Sequence, residues 1–158
     1  MKRIFLALLI VLAFSSSAFA VGSVRQDLRE YGCFREITMS WTADAAAGTV
    51  PATATTWPIN GWILKVTTNP GTTAPTDNYD ITLTDRDGFD VMNGLLVDRD
   101  TANTEAVYPT ITQGAVTYLA PNGVPVLGKV TMNLTNNSVN SAVGDVVILT
   151  YKNDCALP

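Results

Sequence analysis

Apolar residues recur at every second position in several short stretches of this chain, the spacing of a half-buried β-strand. In "CFREITMSWTA" (33–43), Ile37, Met39 and Trp41 share one face, opposite Glu36, Thr38, Ser40 and Thr42. In "INGWILKVTTN" (59–69) the same reading puts Trp62, Leu64 and Val66 on one face; in "YDITLT" (79–84) it turns Tyr79, Ile81 and Leu83 inward. "FDVMNGLLV" (89–97) follows as the hairpin partner of that strand, and "AVTYLA", "VPVLGKVTMNL" and "DVVILTYK" supply further strands. Val146, Ile148 and Thr150 point away from Val147, Leu149 and Tyr151, so both faces of the last strand are largely apolar. A strand covered on both faces belongs in the middle of a sheet.

Clusters of Gly, Pro, Asn, Asp and Thr separate these runs. "DAAAGTVPATATT" is a small-residue loop or a weak strand, and "NPGTTAPTDN" is a turn-rich connection. Helical spacing is almost absent; "RQDLRE" (25–30), within a charged lead over residues 21–32, has the makings of one helical turn. The pattern predicts an all-β fold: a single antiparallel β-sandwich over residues 33–158, jelly-roll or immunoglobulin-like, with about seven or eight strands. No linker divides it.

Residues 1–20 stand apart from this pattern. "MKRIFLALLIVLAFSSSAFA" opens with Lys2 and Arg3, runs apolar from Ile4 to Phe14, and ends in Ala18-Phe19-Ala20. This is the plan of a cleavable signal helix, its apolar run short of the roughly 20 residues needed to span a bilayer. The chain is therefore expected to be exported, periplasmic or extracellular, and to meet a membrane only through this leader. Its two cysteines, Cys33 and Cys155, are an even number in an oxidising compartment and are expected to form a disulfide. Net charge is −4, and more negative once Lys2 and Arg3 are removed, which argues against a nucleic-acid partner.

The richest polar stretch is "TDNYDITLTDRDGFDVMNG" (76–94). Asp85, Asp87 and Asp90 around Gly88 are the candidate metal ligands, with calcium the cation their oxygens suit. Counted from Asp85, however, the twelfth position of an EF-hand loop is Leu96 where a bidentate Glu is needed. Asp87-Gly88 is also a favoured hairpin dipeptide, because glycine tolerates positive φ. The stretch reads first as a chain reversal between two strands, with Asp80 and Asp90 facing outward. "DRDG" at 85–88 recurs as "DRDT" at 98–101, too short an echo for a repeat. It reads first as surface turn chemistry, in which Asp accepts backbone hydrogen bonds, and as its alternative a pair of turns bringing Asp98 and Asp100 near the first cluster with Arg86 and Arg99 as counter-charges.

The chain contains no histidine, which removes Ser-His-Asp and Cys-His machinery and most zinc sites. Paired carboxylates remain, but no pair is marked out, and no phosphate-cradling glycine loop is present. The expectation is a protein that is not an enzyme and holds no cofactor. Of the three tryptophans, Trp41 and Trp62 fall in phase with apolar neighbours and read as core, whereas Trp57, beside Pro58 in a loop, is the candidate exposed aromatic for binding a partner such as a glycan.

The middle of the chain resembles a group of small virion structural proteins of tailed bacteriophages, of the decoration or accessory kind. The resemblance rests on Pro70, Gly71, Ala74, Pro75, Thr76, Asp77, Asn78, Tyr79 and Asp80, then Asp87 and Gly88, then Gly94, Arg99, Asp100, Thr101, Ala102, Asn103 and Glu105. "ITMSWTAD" and "LTNNSVNSAVGDVVILTY" extend it over most of residues 36–151. It implies a compact β-sandwich on a particle, self-associating or touching capsid or tail proteins, with no catalytic residue. The leader departs from it, because virion proteins assemble in the cytoplasm; the other class the residues fit is an exported bacterial binding module for a glycan or a cell-surface partner.

Overall fold

The computed structural model describes residues 21–113, 116–120 and 123–155; the expected signal helix lies outside them. These residues form eleven strands and, among them, no helix. In order they are β1 (Ser23–Tyr31), β2 (Phe34–Thr42), β3 (Thr53–Ala54), β4 (Gly61–Pro70), β5 (Asp80–Thr84), β6 (Glu105–Val107), β7 (Thr110–Gln113), β8 (Val116–Leu119), β9 (Val124–Val126), β10 (Thr131–Thr135) and β11 (Val143–Lys152). The count exceeds the expected seven or eight because short pairings of two to four residues, such as β3 and β7, carry too little alternation to be read in a sequence.

A six-stranded sheet runs β1-β2-β11-β4, with β6 and β9 both pairing the far edge of β4. A three-stranded sheet runs β3-β10-β5, and β7 with β8 makes a separate hairpin. All pairings are antiparallel. They nest: β2 pairs β11, β3 pairs β10 and β4 pairs β9, so the chain folds as one long ribbon doubled back on itself and wrapped across both sheets. "VPVLGKVTMNL" is consequently two strands, β9 in the large sheet and β10 in the small one. The chain changes sheets between them, with Gly128 at φ 92°.

The two sheets close over one apolar core. The large sheet contributes Ile37, Met39, Trp41, Ile63, Val66, Val146 and Ile148, and the small sheet Ile81, Leu83, Met132 and Leu134. The last strand does lie in the middle, between β2 and β4, as its two apolar faces required. Trp41 lies against Gly144 of the neighbouring strand, where an added Cβ would come 2.7 Å from the indole ring.

Three expectations are corrected. The lead "RQDLRE" is no helical turn; it lies in β1, paired with β2 along its full length, so the sheet begins at Ser23 and the boundary drawn at residue 33 falls inside a hairpin. Its mixed charges hid an alternation in which Val24 and Leu28 pack on the core. Second, Trp62 does not point inward. The register between β11 and β4 shifts after Leu149, which pairs Lys65 while Thr150 pairs Ile63. Leu64 is the extra residue of a β-bulge, so Ile63 and Val66 are buried and Trp62 turns to the outer face. Third, "FDVMNGLLV" makes a single bridge, Thr84 to Asp90, and then coils into successive turns that tuck Met92 and Leu96 into the core.

Cys33, in the β1–β2 turn, is bonded to Cys155, just past β11, with Cα atoms 5.6 Å apart at a sequence separation of 122. The bond ties the two ends of the ribbon. A Cys33→Ser, Cys155→Ser double variant is expected to lose roughly 2–5 kcal/mol of stability, read as a lower melting temperature that reductant lowers no further. Tyr79 and Trp41 pack with ring centroids 6.0 Å apart, and the Tyr79 hydroxyl and the Trp41 Nε1 are buried without a hydrogen-bond partner. Burial pushes the Tyr79 phenol up to about 12, against a weaker opposing influence from the Thr68 hydroxyl. Because burial penalises only the ionised phenol, the fold keeps its full stability below the ordinary value of 10.0 and loses it as pH rises through about 12. Tyr79→Phe is expected to melt at the same or a higher temperature at neutral pH, and to shift the alkaline unfolding midpoint upward.

Candidate functional site

The strands dictate what gathers at the disulfide end of the sandwich. In β1, β2 and β11 the residues alternating with the core positions face outward, and the bulge brings Trp62 of β4 to the same side. The register then sets Tyr31, Phe34, Tyr151 and Trp62 in one row across four adjacent strands, prolonged by Pro125 of β9. Phe34 meets Tyr151 edge-on with ring centroids 5.5 Å apart, and Tyr151 meets Trp62 at 6.4 Å. Tyr31 and Phe34 are exposed, Tyr151 and Trp62 half-buried. Aromatic rows of this kind bury large area at low side-chain entropy when a partner covers them.

At the same end, Leu127 projects from the β9–β10 connection with 73% of its surface open. It lines two hollows. One, of about 510 Å³, is bounded by Arg35, Pro58, Asn60, Lys152 and Asp154; the other, of about 210 Å³, by Asp85, Asp87, Val91 and Pro125. Arg35 donates to Glu30 at 2.6 Å, and Lys152 lies 3.7 Å from the same carboxylate. The Arg35 hydrogen bond and the Lys152 charge hold the Glu30 carboxyl below its ordinary value. Trp57, expected as an exposed aromatic, is half-buried in the β3–β4 loop at this end, where the neighbouring Pro58 carbonyl accepts from Arg35 at 3.5 Å.

The aspartate stretch turns the chain at the same end. The Gly88 N–H donates to the Asp85 carbonyl and the Asp85 N–H to that of Phe89, with Gly88 at φ 87°, so the Asp-Gly pair serves the reversal expected of it. Asp85 Oδ1 accepts the Asp87 and Phe89 N–H groups. Asp90 Oδ1 accepts those of Leu83 and Met92, and Oδ2 accepts that of Gly94 at 2.7 Å. Asp90 thereby replaces the ladder a second strand would have made, and it faces the backbone instead of standing outward. Asp87 is exposed beside Arg86 at 3.4 Å. Among the described residues no group of three or more acidic, cysteine or histidine side chains gathers in a geometry that could hold a metal ion.

Asp98 and Asp100 do not approach this cluster. Arg99 bridges Tyr79 at the start of β5, whereas Asp85–Asp90 follow its end, about 16 Å along the strand. There Asp80 Oδ1 accepts the Asp98 N–H at 2.9 Å and its Oδ2 the Asn136 side-chain amide. Asp100 accepts from the Asn103 side chain and from the Ala102 and Asn103 N–H groups, bonds that lower its carboxyl from the ordinary value. Arg99 reaches Glu105 at 3.4 Å rather than an aspartate of the first cluster.

The aromatic row was missed in the sequence, though one signal was present: Phe34 falls out of phase with Ile37, Met39 and Trp41, so its strand had to show it to the outside. Leu127 carried no signal, because its exposure follows from the chain changing sheets beside it.

If the aspartates serve the backbone, Asp90→Ala is expected to destabilise the protein by about 1–3 kcal/mol, by leaving three N–H groups unpaired, while Asp87→Ala leaves melting unchanged. Replacing calcium by EDTA is expected to shift neither; a large calcium-dependent rise in melting temperature would reverse this reading, since a ligand of the folded form must stabilise it. No protein-family model, no curated protein and no solved structure matches the chain.

Proposed function

We propose that this protein is a non-enzymatic surface protein that works by contact, seating its disulfide end on another protein. The observation that carries this reading is the row Tyr31, Phe34, Tyr151 and Trp62, an aromatic surface presented on rigid strands and pinned by a disulfide, with Leu127 exposed at the same end. Apolar surface gathered at one place on a folded domain marks a site that something else covers.

The nested pairings β2·β11, β3·β10 and β4·β9 favour the jelly-roll over the immunoglobulin-like arrangement, a double-sheet architecture shared by viral shell and lectin domains. Together with the resemblance to tailed-phage virion proteins, this supports a decoration or accessory role, with capsid or tail proteins as the partners. The absence of histidine from the sequence supports a role without catalysis, and the acidic balance one without nucleic acid. The Cys33–Cys155 bond fits an oxidising compartment, which favours export by the leader.

A second reading rests on Trp57. Half-exposed at the same end, with the Trp62 ring on the outer face nearby in sequence, it supports an exported module that stacks a sugar ring.

Co-sedimentation with particles purified from the producing cells separates the two. Wild type is expected to travel with the particles, and Phe34→Asp or Leu127→Asp, folded by circular dichroism, to stay at the top of the gradient. Loss on Trp57→Ala with binding on a glycan array would favour the sugar reading. A wild type that neither joins particles nor binds any glycan would overturn both.

A further inference from the structure

Strand β1 closes one side of the large sheet. Among the described residues it pairs with β2 over its whole length and with no other strand, so alternate backbone N–H and C=O groups on its far side have no ladder partner among them. Folded proteins usually blunt such an edge with a proline, a bulge, charged side chains, lysine above all, or a very short strand. β1 is long and regular, nine residues in unbroken register without proline or glycine, and the device it does carry is charge, in which Arg25, Asp27 and Arg29 alternate in sign. It is also held firmly, for the Gln26 side chain donates to the Ala54 carbonyl at 2.8 Å and accepts the Thr56 N–H at 2.6 Å, tying the edge to the other sheet.

The outward residues alternate in charge as Arg25, Asp27 and Arg29, with Arg29 3.7 Å from Asp27. In an antiparallel pairing of this strand with a second copy of itself, a two-fold axis through Gln26 sets Arg25 opposite Asp27 twice. It also sets Val24 opposite Leu28, and Ser23 opposite Arg29. An axis through Asp27 instead sets Asp27 against itself and Arg25 against Arg29, like charges face to face. An axis through Leu28 matches Asp27 with Arg29 but carries Val24 past the strand onto the turn at Gly32. Opposite charges and apolar pairs directly across a ladder stabilise it, and like charges oppose it.

We propose that β1 is the edge by which two copies of this chain pair, antiparallel about a two-fold axis at Gln26, joining two six-stranded sheets into one. The occupant is a second copy because the strand is complementary to itself in both charge and apolar position. The pairing uses the sheet edge and does not rest on the aromatic end.

The test is sedimentation of the purified, disulfide-bonded protein over a range of concentrations. Wild type is expected to pass from monomer to twice that mass by on the order of 100 µM, a weak association suited to a small contact. Asp27→Arg and Arg25→Asp are each expected to weaken it at least about tenfold, by setting like charges across the ladder twice. The variant carrying both substitutions swaps the charges within each pair and is expected to restore the dimer, whereas in a register centred on Leu28 it would set arginine against arginine.

A wild type that stays monomeric throughout overturns the proposal, even if it accepts a strand from a different protein. A dimer indifferent to Asp27→Arg also overturns it, as does a double variant no better than the singles. Should a variant fail to fold, amide exchange along β1 in the wild type decides. Protection at alternate residues that grows with concentration supports the pairing, and its absence refutes it.

Discussion

The insertion of β11 between β2 and β4 is the constraint from which the other features follow. Until this C-terminal strand is in place, β2 and β4 have no common neighbour, Trp41 has no Gly144 to lie against, and the inner face lacks Val146 and Ile148. Each nested pairing joins segments far apart in sequence, so loop-closure entropy must be met before most of the apolar area is gained. The Cys33–Cys155 bond acts on the same opposition, tying the ends of the ribbon so that the unfolded chain has less freedom to lose. A disulfide at the junction of the second and last strands therefore stabilises the part of the fold that closes over the longest loop.

The polar side chains follow from that closure. A ribbon wrapped over two sheets turns often, and each turn leaves N–H groups without a ladder partner. Asp44, Asp85, Asp90 and Asp100 each accept two or more of them. Asn137 does similar work between distant loops, accepting the Thr76 N–H and donating to the Gly48 carbonyl. The aspartate-rich stretch that looked most like chemistry is, in its bonds, the scaffold of a turn. This is the ordinary competition between a carboxylate as reagent and a carboxylate as cap, and the cap needs only a nearby backbone N–H.

Contact surfaces arise where the same architecture stops. The aromatic row lies where the large sheet runs out beside the disulfide, and β1 is where the sheet has no further strand among the described residues. Both are rigid, because their residues sit on paired strands and not on long loops, so a partner would meet them with little ordering still to be done. They differ in chemistry: one offers apolar area, the other unpaired backbone with alternating charge.

The sequence by itself determined the all-β class, the burial of Ile37, Met39, Trp41, Tyr79, Ile81 and Leu83, the central place of the last strand and the turn at Gly88. Each of these depends on local alternation or on the φ preference of one residue. Only the tertiary structure decided the rest. The bulge at Leu64 reversed Trp62, because an extra residue shifts phase without changing the apolar content of its strand. Strand β1 was hidden by charges that alternate as regularly as its apolar residues but face solvent. The row at the disulfide end, the separation of the two "DRD" segments and the engagement of Asp90 with Leu83, Met92 and Gly94 depend on which strands become neighbours. That order is set by how one doubled ribbon closes over a shared core, a property of the whole chain that no short window of it contains.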